Sequence, residues 1–283
     1  INKRQLKAGK EFRAIIINSG NANAFTGNAG IADADRILQS LSAGLSIKKE
    51  KLLVSSTGII GRRLEVSKII NALPGLINGL SEHGIDKAKK AIMTTDTFVK
   101  EAGAEFSIGK EKVSVSGIAK GAGMIAPNMA TMLAFIFTDA NVSGPALKKA
   151  LGQAVDDSFN CITVDGCMST NDTVTILANG LAQNLQIKGG RNFSLFTKAL
   201  YTVCLDLAKM VVRDAEGATK FIRIKVIGAA SVKDAKLAAL SIANSNLVKT
   251  AIYGENPNFG RIAASVGASG IAVREEDIKI KVS

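Results

Sequence analysis

Short apolar runs of strand length alternate along the chain with longer stretches in which apolar residues recur every three or four positions. The first pattern is typical of buried strands and the second of amphipathic helices. The runs predict strands at residues 14–18, 52–56, 105–108, 113–118, 132–138, 174–177, 221–227 and 248–252. The periodic stretches predict helices at residues 33–45, 66–80, 144–157, 194–212 and 232–244. Strands that alternate with helices in this way indicate an α/β protein.

Polar residues and glycines mark the ends of several predicted elements. Asp33 and Ser143 are predicted to cap helices, and Pro145 lies just inside the second one, where its missing N–H is tolerated. Glycine-containing stretches at residues 18–30, 57–61, 120–128 and 165–171 fall between elements. Because glycine permits tight turns and close approach of a ligand, we expect function to concentrate at these junctions.

The composition is that of a folded protein with a basic surface. Hydrophobic residues make up 47% and charged residues 21% of the 283 residues, unlike the composition of disordered chains. The formal charge of +12 permits nucleic-acid binding, but the basic residues are dispersed and there is no Trp to stack on bases. A solvated basic surface is therefore favoured, and its field would attract small anionic substrates.

Cysteine usage and hydropathy indicate a cytoplasmic protein. No apolar run is long enough to span a bilayer, and the first residues lack the apolar core of a signal sequence. Cys161, Cys167 and Cys204 contain no CxxC pair, and the single histidine, His83, lies in a polar stretch. We expect reduced thiols, no disulfide framework and no zinc site.

Residues 117–140 form the most informative segment for chemistry. They predict a strand, a loop rich in Gly and Pro, and a second strand that begins at Ala130 and Thr131. Thr131 by itself is compatible with an ordinary β-branched residue opening a strand. A phosphate-binding loop is a weaker alternative, because the order GxxxxGKS or GxxxxGKT is absent and the loop leads into a strand.

At this segment the sequence resembles the ornithine acetyltransferase family, also called the bifunctional glutamate N-acetyltransferases of arginine biosynthesis. The resemblance extends in the family's order across nearly the whole chain. It rests on residues 18–24 (NSGNANA), 56–61 (STGIIG), 93–97 (MTTDT), 120–124 (KGAGM), 127–133 (PNMATML), 163–166 (TVDG), 169–173 (STNDT), 213–220 (RDAEGATK) and 256–261 (NPNFGR).

Members of this family cut themselves at an Ala-Thr bond, and the resemblance places that bond between Ala130 and Thr131. The freed Thr is the family's nucleophile. A Thr hydroxyl needs a base to take its proton, and a free α-amino group with a pKa of about 7.7 to 8.0 supplies one within the same residue. Such an enzyme needs no catalytic histidine.

The resemblance also implies further site residues. Acyl transfer requires donors for the developing oxyanion, and the family pattern puts them at Thr57 and Gly58, although this stretch alone is typical of a polar turn. By the same resemblance, the substrate contacts fall on Thr97, Lys120, Thr131 and Glu216. Lys120 suits a substrate carboxylate and Glu216 a substrate amine. Taken alone, both would be typical of solvated loop charges.

The implied fold is an α/β sandwich of the self-processing N-terminal-nucleophile type, with two sheet layers between helices. Residues 1–130 would form an α fragment and residues 131–283 a β fragment, assembled as α2β2. The implied reaction is ping-pong transfer of acetyl from N-acetylornithine through Thr131 to glutamate. Acetyl-CoA serves as a second donor in some members, and no metal or cofactor is implied. Family members carry further residues before NSGNANA and after NPNFGR, so we expect the complete protein to be longer.

Three other functions stay open at this point. A self-processing aminopeptidase of similar fold would pass acyl groups to water instead of to an amino acid. A basic RNA-binding protein would bind RNA with a steep salt dependence. An inactive structural remnant would never be cut between Ala130 and Thr131. Neither nucleic acid nor membrane is the expected partner.

Overall fold

The computed structural model describes residues 1–8, 11–126 and 132–283, with only the main chain of residue 8. The helices are α1 (Asn2–Ala8), α2 (Gly27–Leu45), α3 (Val66–Asn78), α4 (Ile85–Ala91), α5 (Gly144–Asp156), α6 (Gly190–Arg213), α7 (Val232–Asn244), α8 (Asn246–Tyr253) and α9 (Phe259–Gly267). The strands are β1 (Ala14–Asn21), β2 (Leu52–Ile59), β3 (Lys100–Ile108), β4 (Glu111–Lys120), β5 (Leu133–Thr138) and β6 (Thr173–Ala178).

The strands form two sheets. β1 and β2 pair in parallel, with Ala14 beside Leu52 and Gly20 beside Gly58. The second sheet has the order β3-β4-β5-β6, in which β5 and β6 are parallel and the other pairs antiparallel. β4 and β5 lie on either side of the predicted cleavage site, so both predicted fragments contribute strands to this sheet.

One helix layer covers the parallel pair. Ile37 and Leu38 of α2 and Leu73 of α3 pack against Ile16 and Leu52. These apolar positions recur at helical spacing, as expected for a helix with one buried face. Burying each such side chain contributes roughly 1.5 to 3 kcal/mol before the loss of chain entropy is counted.

The opposite face of β1 packs against the second sheet. Ile15 and Ile17 contact a group formed by Ile118, Leu133 and Phe135 on β4 and β5. Because side chains alternate between the two faces of a strand, β1 fills both cores at once.

A second helix layer closes the far side of the four-stranded sheet. Phe196, Leu200 and Leu207 of α6 are fully buried and pack with Val113 and Ile136. The layers therefore run helix, sheet, sheet, helix, which confirms the predicted α/β sandwich. Within the described residues, no helix is both long enough and apolar enough to cross a membrane.

Six of the eight predicted strands and all five predicted helices are confirmed, with shifted ends. Four short helices, α1, α4, α8 and α9, were not predicted as helices. The predicted cap at Asp33 is wrong, because α2 begins at Gly27. Asp33 lies buried within the helix and its carboxylate accepts a hydrogen bond from Arg63 at 2.8 Å. Ser143 does occupy the cap position of α5.

The predicted strand at residues 248–252 is wrong, since these residues lie in α8. The Ser245 side chain caps this helix by accepting a hydrogen bond from the Val248 N–H. Val248 and Ala251 then share the buried face of the helix. The cap and the packing together outweigh the strand preference of the β-branched residues.

The predicted strand at residues 221–227 is also wrong. These residues pair with no strand in the part of the chain that the structure describes. Phe221 is 41% and Ile227 is 79% exposed. An apolar alternation becomes a strand only where a neighbouring strand satisfies its main chain, and the pattern along one segment cannot report that neighbour.

Candidate active site

An open cavity of about 810 Å³ lies at the ends of β1, β2 and β4, beside the turn that follows α6. Four of the residues that the resemblance assigns to the site line it: Thr57, Gly58, Lys120 and Glu216. They come from three separate parts of the chain, so the fold brings them together. Thr97 is not among the residues that line the cavity.

Ala130 and Thr131, the predicted cleavage site and nucleophile, lie outside the described residues. The next residue, Met132, is described and is 3% exposed. It leads directly into β5, where Leu133 pairs with Lys120. The strand that follows the predicted nucleophile is therefore the neighbour of the strand that ends in Lys120.

Gly58 allows the ends of β1 and β2 to lie very close together. Its φ of +125° is in the region that favours glycine. A Cβ atom at this position would lie 2.3 Å from the main-chain carbon of Gly20. The adjacent Thr57 is only 1% exposed. Thr57 and Gly58 thus belong to the packed end of a strand and not to a solvated turn.

Lys120 is almost completely buried at the end of β4. Its Nζ donates hydrogen bonds to Oγ1 of Thr94 at 2.8 Å and to Oγ1 of Thr57 at 3.4 Å. It also lies 3.9 Å from Oδ2 of Asp96. Because the Thr57 hydroxyl accepts from the lysine, its own hydrogen is available for a different acceptor. Thr57 can therefore act as a donor.

Burial lowers the pKa of Lys120 below its usual value, because an ammonium group is destabilised when it loses water. The charge of Asp96 opposes this shift, Lys100 reinforces it by repulsion, and Glu216 and Asp172 oppose it more weakly. An anion bound beside the ammonium would stabilise its charged form. The position is therefore suited to a carboxylate ligand.

A second lysine, Lys100, is fully buried. Its Nζ lies 2.7 Å from Oδ1 of Asp96 and also donates a hydrogen bond to Oδ2 of Asp214. The side chains of both aspartates are themselves almost completely buried. A buried charge is tolerated only when it is paired and hydrogen-bonded. This network joins the segment before β3 to the residue that follows α6.

Both aspartates have a pKa below the usual carboxyl value. Burial alone would raise the pKa, but hydrogen bonds outweigh that effect. Asp96 accepts hydrogen bonds from Lys100 and from the Gly121 N–H. Asp214 accepts hydrogen bonds from Lys100 and from Thr97. A depressed carboxyl pKa contributes stability that is present above the ordinary aspartate pKa of 3.8 and is lost as the pH falls through the lowered values.

Thr97 faces the buried network. Its main-chain N–H donates to Oδ2 of Asp214 at 3.0 Å, and its hydroxyl donates to the same carboxylate. In this arrangement the hydroxyl hydrogen is already in use. A contact between Thr97 and substrate stays a prediction.

Glu216 is exposed beside the cavity. Its main-chain N–H donates to the carbonyl oxygen of Ala122 at 2.9 Å. A Cβ atom at Gly123 would lie 2.8 Å from the Glu216 carboxylate, so glycine leaves room for this side chain. Together with Lys120, Glu216 gives the cavity one cation and one anion, which suits a zwitterionic ligand.

Four carboxylates of the site were missed by sequence reasoning: Asp96, Asp165, Asp172 and Asp214. All four lie within the quoted motifs, but an aspartate in a polar stretch gives no local sign that it will be buried or will hold main-chain amides. Only the motif match could have drawn attention to them. Within the described ranges, no group of three or more His, Cys, Asp or Glu side chains is arranged to hold a metal ion.

Comparison with known proteins gives a consistent result. A sequence profile of the ArgJ family matches residues 1–283. The arginine biosynthesis bifunctional protein ArgJ of Caldanaerobacter subterraneus is 48% identical over 99% of this chain and 70% of its own length. The protein of the same name from Symbiobacterium thermophilum is 48% identical over 92% of this chain and 65% of its own. The chain thus spans about two thirds of these relatives.

A solved structure is also similar. The crystal structure of the arginine biosynthesis bifunctional protein argJ from Bacillus halodurans shares 47% identity, covering 50% of this chain and 67% of the other, with a TM-score of 0.49.

Removing the carboxylate of Asp214 should strongly destabilise the fold, because it leaves the Lys100 ammonium buried with a single counter-charge. Breaking a buried pair from one side typically costs about 3 to 5 kcal/mol. We expect Asp214→Ala to lower the free energy of unfolding in urea by this amount.

Glu255→Ala provides the matched control, since it removes the partner of Lys220 in an exposed ion pair. Exposed pairs contribute little, so the free energy of unfolding should hardly change. Equal small losses in the two variants would show that the buried network does not hold the fold together.

Proposed function

This chain belongs to the ArgJ family, and on that premise we propose that it carries the catalytic core of a glutamate N-acetyltransferase of arginine biosynthesis. The family prediction made from the motifs is confirmed by the match over the whole chain. The names of the relatives support the acetyltransferase and not the aminopeptidase alternative. The observation that carries the proposal is the convergence of Thr57, Gly58, Lys120 and Glu216 on one cavity beside the β4–β5 pair.

The proposed reaction has two halves that share a covalent intermediate. The Thr131 oxygen attacks the acetyl carbonyl of N-acetylornithine while its proton passes to the α-amino group of the same residue. The C–N bond then breaks, and the ornithine amine leaves with that proton. In the second half the glutamate amine attacks the acetyl ester, and the Thr131 oxygen leaves and recovers a proton.

Thr57 and Gly58 are the proposed donors to the oxyanion that forms in each half. Preorganised donors in a site with little water stabilise such a charge most effectively. Thr57 meets this requirement because it is buried. Its hydroxyl oxygen accepts a hydrogen bond from Lys120, so its hydroxyl hydrogen is available to the oxyanion. The close approach of β1 to β2 at Gly58 supports a rigid position for Thr57.

Lys120 and Glu216 are the proposed contacts for the charged ends of the substrates. The buried ammonium would bind a carboxylate, and the exposed carboxylate would bind an amine. Thr97 is retained as a third substrate contact through the resemblance, and its hydroxyl would have to exchange its bond to Asp214 for one to the ligand. Acetyl-CoA is proposed as a second donor, in keeping with the word bifunctional in the names of the relatives.

Self-cleavage between Ala130 and Thr131 would not separate the two fragments. The last strand of the α fragment, residues 1–130, is β4, and the first strand of the β fragment, residues 131–283, is β5. These strands pair along six positions, from Val115 beside Thr138 to Lys120 beside Leu133. The Asn171 side chain adds a hydrogen bond of 3.0 Å to the carbonyl of Ser56. The further assembly into α2β2 rests on the resemblance alone.

Product analysis tests the function directly. Full-length protein given acetyl-labelled N-acetylornithine and glutamate should form labelled N-acetylglutamate. Double-reciprocal plots should be parallel, because the acetyl group is held on the enzyme as an ester until an oriented amine attacks it. Release of labelled acetate at the same rate with and without glutamate would replace the transferase with a hydrolase. Repeating the assay with labelled acetyl-CoA tests the second donor.

Loss of the Thr57 hydroxyl should slow turnover while substrate binding is retained. Removing one oxyanion donor typically lowers kcat by about 10² to 10³, or about 2.7 to 4 kcal/mol. We expect this loss for Thr57→Ala in steady-state assays, with KM within about threefold of the wild type. Thr138→Ala is the control, because it removes another buried hydroxyl, one that donates to Ser114 far from the cavity. A loss of kcat below about threefold in Thr57→Ala would exclude the oxyanion role.

A further inference from the structure

The loop between residues 163 and 173 holds the main chain on both sides of residues 127–131. On the near side, the Asp165 carboxylate accepts hydrogen bonds from the N–H groups of Met124 at 2.5 Å and Ile125 at 3.1 Å. On the far side, Oδ1 of Asp172 accepts a hydrogen bond from the Met132 N–H at 2.9 Å. One loop of the proposed β fragment therefore holds the main chain before residue 127 and after residue 131.

Of these contacts, the one made by Asp172 is nearest in the chain to the predicted nucleophile. The Met132 N–H belongs to the peptide bond that joins Met132 to Thr131. A second contact holds the other side of Met132, since its carbonyl accepts a hydrogen bond from the Thr173 N–H at 3.1 Å. Both main-chain polar groups of Met132 are therefore held by hydrogen bonds to the pair Asp172 and Thr173.

The surroundings of Asp172 are unusual for a carboxylate that only anchors main chain. It lines a small apolar cavity together with Ile125, Val155 and Phe159. Its Oδ2 atom is buried and has no hydrogen-bond partner among the residues that the structure describes. A buried oxygen left without a partner is costly, and such groups are found where function requires them.

We propose that Asp172 is a positioning residue for acetyl transfer: its carboxylate holds the main-chain N–H of Met132, the residue that follows the predicted nucleophile in the chain. This inference rests on the proposed function. Misplacing a reacting group by as little as 1 Å can lower a rate about 100-fold, so the effect of such an anchor is large.

The protonation of Asp172 adds a second readout. Burial raises its pKa to about 7, against the opposing effects of the amides of Met132 and Ser169 and of the charge of Lys120. An ionised carboxylate accepts a stronger hydrogen bond than a protonated one. Positioning should therefore weaken as the pH falls through about 7.

The test compares three variants of the full-length protein. Asp172→Ala should lower kcat about 10- to 100-fold with KM nearly unchanged. Asp172→Asn keeps an oxygen that accepts the hydrogen bond from the Met132 N–H but lacks the charge, so its kcat at pH 8.5 should lie between those of Asp172→Ala and the wild type. Asp139→Ala is the matched control, because Asp139 is also half-buried and accepts a hydrogen bond from a main-chain N–H, that of Ser114 at 2.8 Å, at the far end of β5. It should leave kcat within about twofold of the wild type.

The pH profile separates positioning from general stability. In the wild type, kcat should fall below pH 7 for two reasons: the α-amino group of Thr131 becomes protonated, and Asp172 loses its charge near pH 7, which adds a further partial decrease. In Asp172→Asn, whose side chain is neutral at every pH, only the first decrease should remain. The inference is overturned if Asp172→Ala loses no more activity than Asp139→Ala. An Asp172→Asn profile that runs parallel to that of the wild type overturns it as well, and this variant decides if Asp172→Ala does not fold.

Failure of the proposed function would give a different result. If the wild type is cut but transfers no acetyl group, the transferase assignment fails, and the rate of self-cleavage becomes the readout for Asp172. Slower appearance of the β fragment in Asp172→Ala than in Asp139→Ala would then support the positioning role. Equal rates would overturn it.

Discussion

A completely buried lysine requires counter-charges, and Lys100 obtains them from Asp96 and Asp214, the latter more than a hundred residues away in the chain. Asp96 also accepts a hydrogen bond from the Gly121 N–H at 2.7 Å and lies beside Lys120. The end of β4, where the cavity begins, is therefore fixed by this network. Since removing either carboxylate leaves a charge buried and underpaired, the network fixes one arrangement of its partners.

The two sheets bring further residues to the cavity. The parallel pair brings Thr57 and Gly58 to the cavity, while the four-stranded sheet brings Lys120 and the chain that continues from Met132. The half-buried side chains of Ile15 and Ile17 on β1 pack one sheet against the other. The proposed nucleophile precedes β5 by two residues in the chain, and β5 is a core strand.

Sequence patterns predicted the helices and strands well where burial follows local periodicity, as in α6 with its stripe of Phe196, Leu200 and Leu207. The sandwich arrangement was implied by the family resemblance. The predicted strand at residues 221–227 is wrong because a strand forms only beside a neighbouring strand, which this segment lacks among the described residues. The predicted strand at residues 248–252 is wrong because the Ser245 cap favours a helix there. The site residues came from motif resemblance, because lysines and glutamates in loops look solvated. Asp214 and Asp172 act through burial and distant contacts, which no local pattern reports.

The most direct measurement is the mass of the fragment that begins at Thr131, taken from purified full-length protein before and after N-acetylornithine is added. The protein should already be cut between Ala130 and Thr131. The β fragment should gain one acetyl group, located on the peptide that starts with Thr131, and should lose it when glutamate is supplied. An uncut wild-type chain, or an acetyl group carried on any other residue, would contradict a Thr131 nucleophile held by these sheets.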